Sequence, residues 1–184
     1  LETKPEKAIK LEKDALAQIE TITADNARLV SNLHANLGGL YRMNGHPDLA
    51  REHMEKSISL LDQFNLLHIN DSIPQIANYA MFLTEQQEPE RGISELQKLS
   101  GIIKEYHSDD CLDYAKVQET LGTIYLMTAN LPQAKTHFKR AFKIYEKIWA
   151  DEPEMIEAKY QEIQELYPQI GFCIGKNLSG LLTK

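Results

Sequence analysis

Apolar side chains recur along most of the chain at intervals of three and four residues, with polar residues between them. In the N-terminal segment Ala8, Leu11, Ala15 and Ile19 follow this spacing. Because an α-helix turns once every 3.6 residues, such a spacing places the apolar side chains on one face. The pattern therefore predicts an all-α protein built from amphipathic helices that pack against one another.

Prolines mark where many of these helices begin. A proline in the first turn of a helix loses no hydrogen bond, because that N–H has no partner within the helix. Pro5, Pro47 and Pro89 lie 42 residues apart, and Pro132 comes one residue later than the interval predicts. The predicted helices cover residues 5–20, 26–43, 47–61, 74–84, 89–103, 111–127, 132–149 and 153–167, with a ninth within 169–184.

Aspartates precede two of these helices and are predicted as their N-terminal caps, since a carboxylate oxygen can accept from a free backbone N–H. They are Asp25 before the helix at 26–43, and Asp109 or Asp110 before the helix at 111–127.

A motif of small and large side chains repeats in the same register. Small residues let two antiparallel helices approach closely, and the large residues fill the space beside the contact. The motif occurs at Leu37, Gly38, Tyr41, Ala50 and Met54, and 84 residues later at Leu121, Gly122, Tyr125, Ala134 and Phe138. A weaker copy lies midway. The predicted close contacts pair Gly38 with Ala50, Gly92 with Ala80, and Gly122 with Ala134.

This motif resembles the tetratricopeptide repeat, a helix-turn-helix unit whose stacked copies bind peptides and proteins. Most such repeats have about 34 residues, and the longer 42-residue form resembles the repeats of kinesin light chains and related bacterial proteins. Segments 35–41, 77–83 and 138–149 carry that likeness. HEAT and armadillo arrays have similar periods, but they lack the Leu-Gly-x-x-Tyr motif followed by Ala-x-x-x-Phe.

The resemblance implies a right-handed superhelix, an α-solenoid of about nine helices in one domain, residues 1–184. Residues 5–24 are predicted to be the second helix of a partial repeat, and residues 25–66, 67–108 and 109–150 are three complete repeats. Residues 151–168 form a degenerate first helix, because Gln164 occupies the position of the small residue. Residues 169–184 are predicted to cap the apolar end of the stack.

Composition restricts the classes of partner. A net charge of −7 disfavours nonspecific binding to nucleic acid or to an anionic membrane. The sequence holds no apolar run of about 18 residues, the length that a membrane-spanning helix needs. Cys111 and Cys173 lie far apart, and we expect two reduced thiols in a cytoplasmic protein.

The sequence shows no catalytic or metal-binding motif. It contains no nucleophile elbow, glycine-rich phosphate loop or dinucleotide fingerprint. None of the six histidines pairs with another at i, i+4 on one helix, and there is no Cys-x-x-Cys. We therefore expect packing or solvated histidines, no metal, no cofactor and no enzymatic activity.

The likeness to tetratricopeptide proteins implies a peptide-binding groove on the concave face, lined by the first helix of each repeat. Asn36 and Asn78 share one repeat position, where an asparagine bonds the backbone of an extended peptide, and Thr120 stands there in the third repeat. The alternative is that both asparagines bond neighbouring helices and that the groove methionines are core residues. The predicted groove residues are Asn36, Gly39, Arg42, Met43, Asn78, Met81, Glu85, Lys116, Glu119, Thr123 and Met127.

Lys135, Lys139, Lys143 and Lys147 form a row at steps of four residues, with Arg140 beside it. This row is interpreted either as a docking stripe for an acidic partner or as a solvated face opposite the acidic residues of the next helix. Those residues are Glu152, Glu154, Glu157 and Glu162.

The predicted function is a non-catalytic scaffold that binds a protein or an extended peptide, internal rather than C-terminal. Two alternatives remain open: a peptide-sensing part of a larger bacterial regulator, and self-association through the incomplete N-terminal repeat.

Overall fold

The computed structural model describes residues 4–69, 72–166 and 168. These residues form eight α-helices and no strand. The helices are α1 (Lys4–Ala17), α2 (Ala27–Met43), α3 (Pro47–Gln63), α4 (Ser72–Glu85), α5 (Pro89–Tyr106), α6 (Leu112–Met127), α7 (Leu131–Ile148) and α8 (Pro153–Leu166). None of these described helices is long and apolar enough to cross a membrane.

The prediction of an all-α protein is confirmed. Each of the first eight predicted helices is present, and no boundary differs from its predicted place by more than three residues. Prolines stand at the starts as predicted, with Pro47, Pro89 and Pro153 as first residues and Pro132 as the second residue of α7. The predicted capping helix at 169–184 lies outside the described residues.

The predicted caps are wrong at both helices. Asn26, rather than Asp25, precedes α2, and its side chain makes no capping bond because its Oδ1 accepts from the Thr23 N–H at 2.8 Å. At α6 the Sγ of Cys111 accepts from the Tyr114 N–H at 3.4 Å.

The aspartates before α6 are too early in the chain to cap it. Cys111 adopts the extended conformation that a cap requires, with φ −98° and ψ 161°, so the cap position falls one residue after Asp110. Asp110 instead accepts a hydrogen bond from Lys147 on α7, and neither it nor Asp109 caps the helix.

The chain divides into two compact units, residues 1–95 and 96–184. In the first unit α2 packs against α3, and α1 packs against α2. Its core consists of Leu37, Tyr41, Ala50, Met54, Tyr79, Phe82 and Leu83, with Ile9, Leu16 and Ile58 packed against them.

α1 is less covered than the other helices of this unit. None of its residues is buried, and Leu11 exposes 69% of its surface. Ala8 is only half-buried, whereas its register equivalents Ala50 and Ala134 are fully buried.

The predicted close contacts of the first unit are confirmed. A Cβ built on Gly38 would lie 2.6 Å from Met54 Cγ and 3.3 Å from the Ala50 carbonyl oxygen. A Cβ on Gly92 would lie 2.6 Å from the carbonyl oxygen of Ala80. Glycine is therefore required at both positions, because a side chain would push the two helices apart.

In the second unit α6 packs against α7, and Phe138 is the nearest neighbour of the contact position at Gly122. The atoms nearest to a Cβ at Gly122 belong to the ring of Phe138, at 3.0–3.1 Å, rather than to Ala134. Side chains on a helix tilt toward its N-terminus, so the Phe138 ring reaches back over the turn that carries Ala134. Ala134 is fully buried beside it.

We predict opposite effects for two glycine substitutions on α5. Gly92→Ala should destabilise the protein by about 1–3 kcal/mol, because the added methyl meets backbone atoms that cannot rotate away. Gly101→Ala should stabilise it by about 0.5–1 kcal/mol, since no atom lies within 4 Å of its Cβ and alanine favours the helix. Urea unfolding measures both, and equal effects at the two sites would contradict the close contact.

Candidate functional site

A pocket of about 550 Å³ opens between α2, α3 and α4 in the first unit. One face of α2 forms a wall, because its lining residues recur at three- and four-residue spacing. α2 contributes Asn32, Ala35, Asn36, Gly39, Arg42 and Met43; α3 contributes Met54 and Ser57; α4 contributes Pro74, Gln75 and Asn78. Five of the predicted groove residues therefore lie together around one cavity: Asn36, Gly39, Arg42, Met43 and Asn78.

The floor of this pocket is a network of polar side chains from three helices. Ser57 Oγ donates to Gln75 Oε1 at 2.6 Å, and Ser31 Oγ lies 2.9 Å from the same oxygen. Gln75 Nε2 donates to Asn32 Oδ1 at 2.5 Å. Because both serines are buried, these bonds fix α4 against α2 and α3 and give the cavity a defined shape.

Sequence reasoning missed this network. The available signal was Ser57, which stands at the register position where the third repeat has Ala141. A serine at a helix-packing position needs a buried hydrogen-bond partner, and Gln75 on the following helix supplies it.

The two predicted asparagines lie at the mouth of the pocket and differ in their bonding. Asn36 Nδ2 donates to Glu12 Oε1 on α1 at 3.0 Å. Asn78 is exposed, and its amide forms no hydrogen bond with any described residue. The alternative that these residues only bond neighbouring helices therefore describes Asn36 and does not describe Asn78.

An ion pair joins α2 to α4 at one end of the pocket. Arg42 Nε donates to Glu85 Oε2 at 2.8 Å, and Arg42 Nη2 donates to the other oxygen of the same carboxylate. The two predicted groove residues thus neutralise each other. Next to them Met43 exposes 79% of its surface, whereas Met81 is half-buried.

The remaining four predicted groove residues belong to the second unit. Thr123 is buried, so its side chain is not accessible. Glu119 accepts from Tyr145 Oη at 2.5 Å and from Lys159 Nζ at 3.0 Å, and it therefore joins α6 to α7 and α8. Only Lys116 and Met127 are exposed, and Lys116 Nζ lies 3.8 Å from an Asp113 oxygen.

The surroundings of Glu119 change the pKa values of its two partners, Tyr145 and Lys159. Burial raises the pKa of Tyr145 far above its usual value, and the Glu119 carboxylate adds to this effect. Burial by itself would lower the pKa of Lys159, but the Glu119 and Glu162 carboxylates outweigh it and raise that pKa. Lys159 therefore stays charged, and the Glu119 carboxylate bonds to Tyr145 and Lys159 inside the protein. Glu119 thus has a structural role.

A polar pair involving histidine occurs at the same register position in the first and third repeats. His34 Nδ1 lies 2.9 Å from His53 Nδ1, and 84 residues later Gln118 Oε1 lies 2.9 Å from His137 Nδ1. Each second residue also stacks on the motif tyrosine, His53 on Tyr41 and His137 on Tyr125, both with ring centroids 5.3 Å apart. A search for i, i+4 pairs within one helix missed the first pair because its members come from two helices.

All three histidines favour the neutral ring. Burial, together with the charge of His53 and Lys56, lowers the pKa of His34 to about 4, against a small opposing effect of Glu52. Burial also lowers the pKa of His53 and of His137. No group of three or more His, Cys, Asp or Glu residues within the described residues could hold a metal ion.

Comparison with known proteins agrees with the fold. Residues 72–147 match the family model of the tetratricopeptide repeat. The crystal structure of BtubC (BKLC) from P. vanneervenii has a TM-score of 0.74 and 18% identity, and the match covers 97% of this chain and 74% of that chain. At that identity the likeness shows the fold alone. No curated protein matches the sequence.

The chain therefore has a fold of the tetratricopeptide-repeat type, and residues 72–147 match the model of that repeat. Such repeats typically form non-catalytic scaffolds that bind proteins or peptides. The kinesin-light-chain-like subclass, the cytoplasmic location, the peptide-sensing regulator and the self-association stay predictions.

We predict that converting either of these polar pairs into the form of the other changes how the stability of the protein depends on pH. A histidine whose folded pKa lies below its unfolded value binds more protons when unfolded, so stability is lost as pH falls below about 6.5. His34→Gln should keep the bond to His53 in the form seen at Gln118 and reduce the drop in melting temperature between pH 7 and pH 5.

The reciprocal variant Gln118→His is the matched control. It creates a second histidine pair and should enlarge the same drop in melting temperature. An identical pH dependence in the parent and both variants would show that these pairs do not titrate with folding.

Proposed function

We propose that this protein is a non-catalytic scaffold that binds an extended peptide segment of a partner protein in the pocket between α2 and α4. The observation that carries this proposal is the amide of Asn78, which lies at the mouth of the pocket and forms no hydrogen bond with any described residue. The side chains at the floor of the pocket are already held in place by their hydrogen bonds to one another. A preorganised site orders few protein groups on binding, which lowers the entropic cost of capture.

The chemistry of the pocket suits a peptide backbone. The Asn78 amide offers two donors and one acceptor oxygen, which complement a peptide bond whatever its side chains are. Around it Ala35, Gly39 and Pro74 present small or apolar surface. Apart from the adjoining backbone of α2, no atom of the described residues lies within 4 Å of the position of a Cβ on Gly39, so the backbone of a ligand can approach α2 closely there. Met43 supplies an adaptable apolar contact at the rim.

The charges of the pocket favour an internal segment over a C-terminal carboxylate. Arg42 is the one cation among the residues that line the pocket, and Glu85 neutralises it through two hydrogen bonds. A bound carboxylate would have to displace Glu85 or stay unpaired, and either change costs free energy. An uncharged stretch of backbone makes no such demand.

Selection from a random peptide library tests the pocket directly. Peptides selected on the parent protein should bind at least about tenfold more weakly to Asn78→Ala, which removes two or more hydrogen bonds of about 0.5–1.5 kcal/mol each. Gly39→Leu should block binding altogether, because the new side chain enters open space in the pocket rather than a packed core.

Gly101→Leu is the control for the second variant, since it also adds a leucine at a helical glycine with open space around it. It should leave peptide affinity unchanged. Melting curves should place all three variants close to the parent in stability. Peptides that bind the parent and the Gly39→Leu variant equally would place recognition outside this pocket.

A further inference from the structure

The solvent side of α7 carries a concentrated positive charge. Five cations define the α7 basic face: Lys135, Lys139, Arg140, Lys143 and Lys147, all exposed. At 3.6 residues per turn they fall within an arc of about 140°. The buried residues Ala134, Phe138 and Tyr145 occupy the opposite side of the helix.

Within the described residues, only Lys147 of this face has an ion-pair partner. All five cations are exposed, as the interpretation of a solvated face expects, but within the described residues none of them forms an ion pair with the acidic residues of α8. Lys147 pairs with Asp110. The other four cations form no ion pair or hydrogen bond with any described residue. On α8, Glu162 pairs with Lys159, and Glu157 accepts from Gln161.

The side chains of the C-terminal residues offer no compensating charge. Residues 167–184 contain no Asp or Glu, so their side chains cannot supply carboxylates to α7. The helix holds five cations against Glu146 alone, a net charge of +4. Subtracting this from the −7 of the whole chain leaves −11 for the other residues. Like charges at i, i+4 destabilise a helix by a few tenths of a kcal/mol per pair.

We propose that the α7 basic face is a docking surface for an acidic peptide segment of a partner protein, distinct from the pocket between α2 and α4. Successive lysines at i, i+4 are about 6 Å apart along the axis, so the row from Lys135 to Lys147 is about 18 Å long. The segment that fits presents three or more carboxylates at that spacing.

The net charge of the protein favours a short segment over a long polyanion. A nucleic acid or an anionic bilayer extends far beyond α7 and meets the repulsion of the −11 carried elsewhere. A short peptide stays within about one Debye length of the face, roughly 8–10 Å at physiological ionic strength, and feels mainly the local lysines.

The test uses two labelled helical peptides of identical composition, one with Glu at every fourth residue and one with the same Glu residues scattered around the helix. Fluorescence anisotropy should show tighter binding of the first. The triple variant Lys135→Glu, Lys139→Glu and Lys143→Glu should weaken that binding at least about tenfold, because three attractive pairs become repulsive.

The control triple variant Lys4→Glu, Lys7→Glu and Lys10→Glu makes the same change of net charge on the exposed side of α1. It should weaken binding by less than about threefold. Equal losses in both triple variants, or equal binding of both peptides, would overturn the proposal. Tighter binding of a single-stranded oligonucleotide or of phosphatidylserine vesicles would overturn the assigned partner class.

Circular dichroism establishes that each variant is folded. Should the glutamate substitutions unfold α7, the same three lysines changed to glutamine provide the measurement. Loss of peptide binding in that folded variant supports the docking face, and unchanged binding contradicts it.

Discussion

The fold depends on pairs of helices that approach each other where one side chain is only a hydrogen atom. At Gly92 a Cβ would lie 2.6 Å from the Ala80 carbonyl oxygen, and at Gly38 it would lie as close to Met54. Glycine within a helix costs about 1 kcal/mol relative to alanine. The close approach offsets that cost, because it brings many apolar atoms into van der Waals contact along both helices. Since each repeat must solve the same steric problem, the small residues recur with the 42-residue period.

The pocket follows from a second layer of contacts, between the first helices of successive repeats. Near the start of α4, Gln75 bonds Asn32, and at its end Glu85 bonds Arg42. Both pairs join residues 43 apart, so they tie α2 to α4 at two levels. Between these levels the polar side chain of Asn78 is left without a partner in the described residues. The space between the two levels is therefore held open by the fold, and Asn78 lies within it.

How much of this follows from sequence depends on whether the determining contact is local. First-turn prolines and the small-residue motif act within one or two helices, so helix boundaries and the Gly38 and Gly92 contacts could be predicted. The atoms nearest to Gly122 could not, because the direction in which the Phe138 ring leans decides which atoms these are. His34 and His53 come from different helices, and their 2.9 Å contact requires the packing itself. The same holds for the floor network, where Ser57 gave a signal but its partner Gln75 lies on α4.

A repeat protein offers an internal way to separate recognition from structure, because one register position can be compared across copies. Asn36, Asn78 and Thr120 share such a position. Asn36 donates to Glu12, and the Thr120 hydroxyl donates to the Lys116 carbonyl oxygen in its own helix. Of these three side chains, Asn78 is the one that forms no hydrogen bond with any described residue. A polar group that the fold leaves unpaired is available to a ligand at no cost in internal bonds, which is why we propose backbone recognition by the middle repeat rather than by all three.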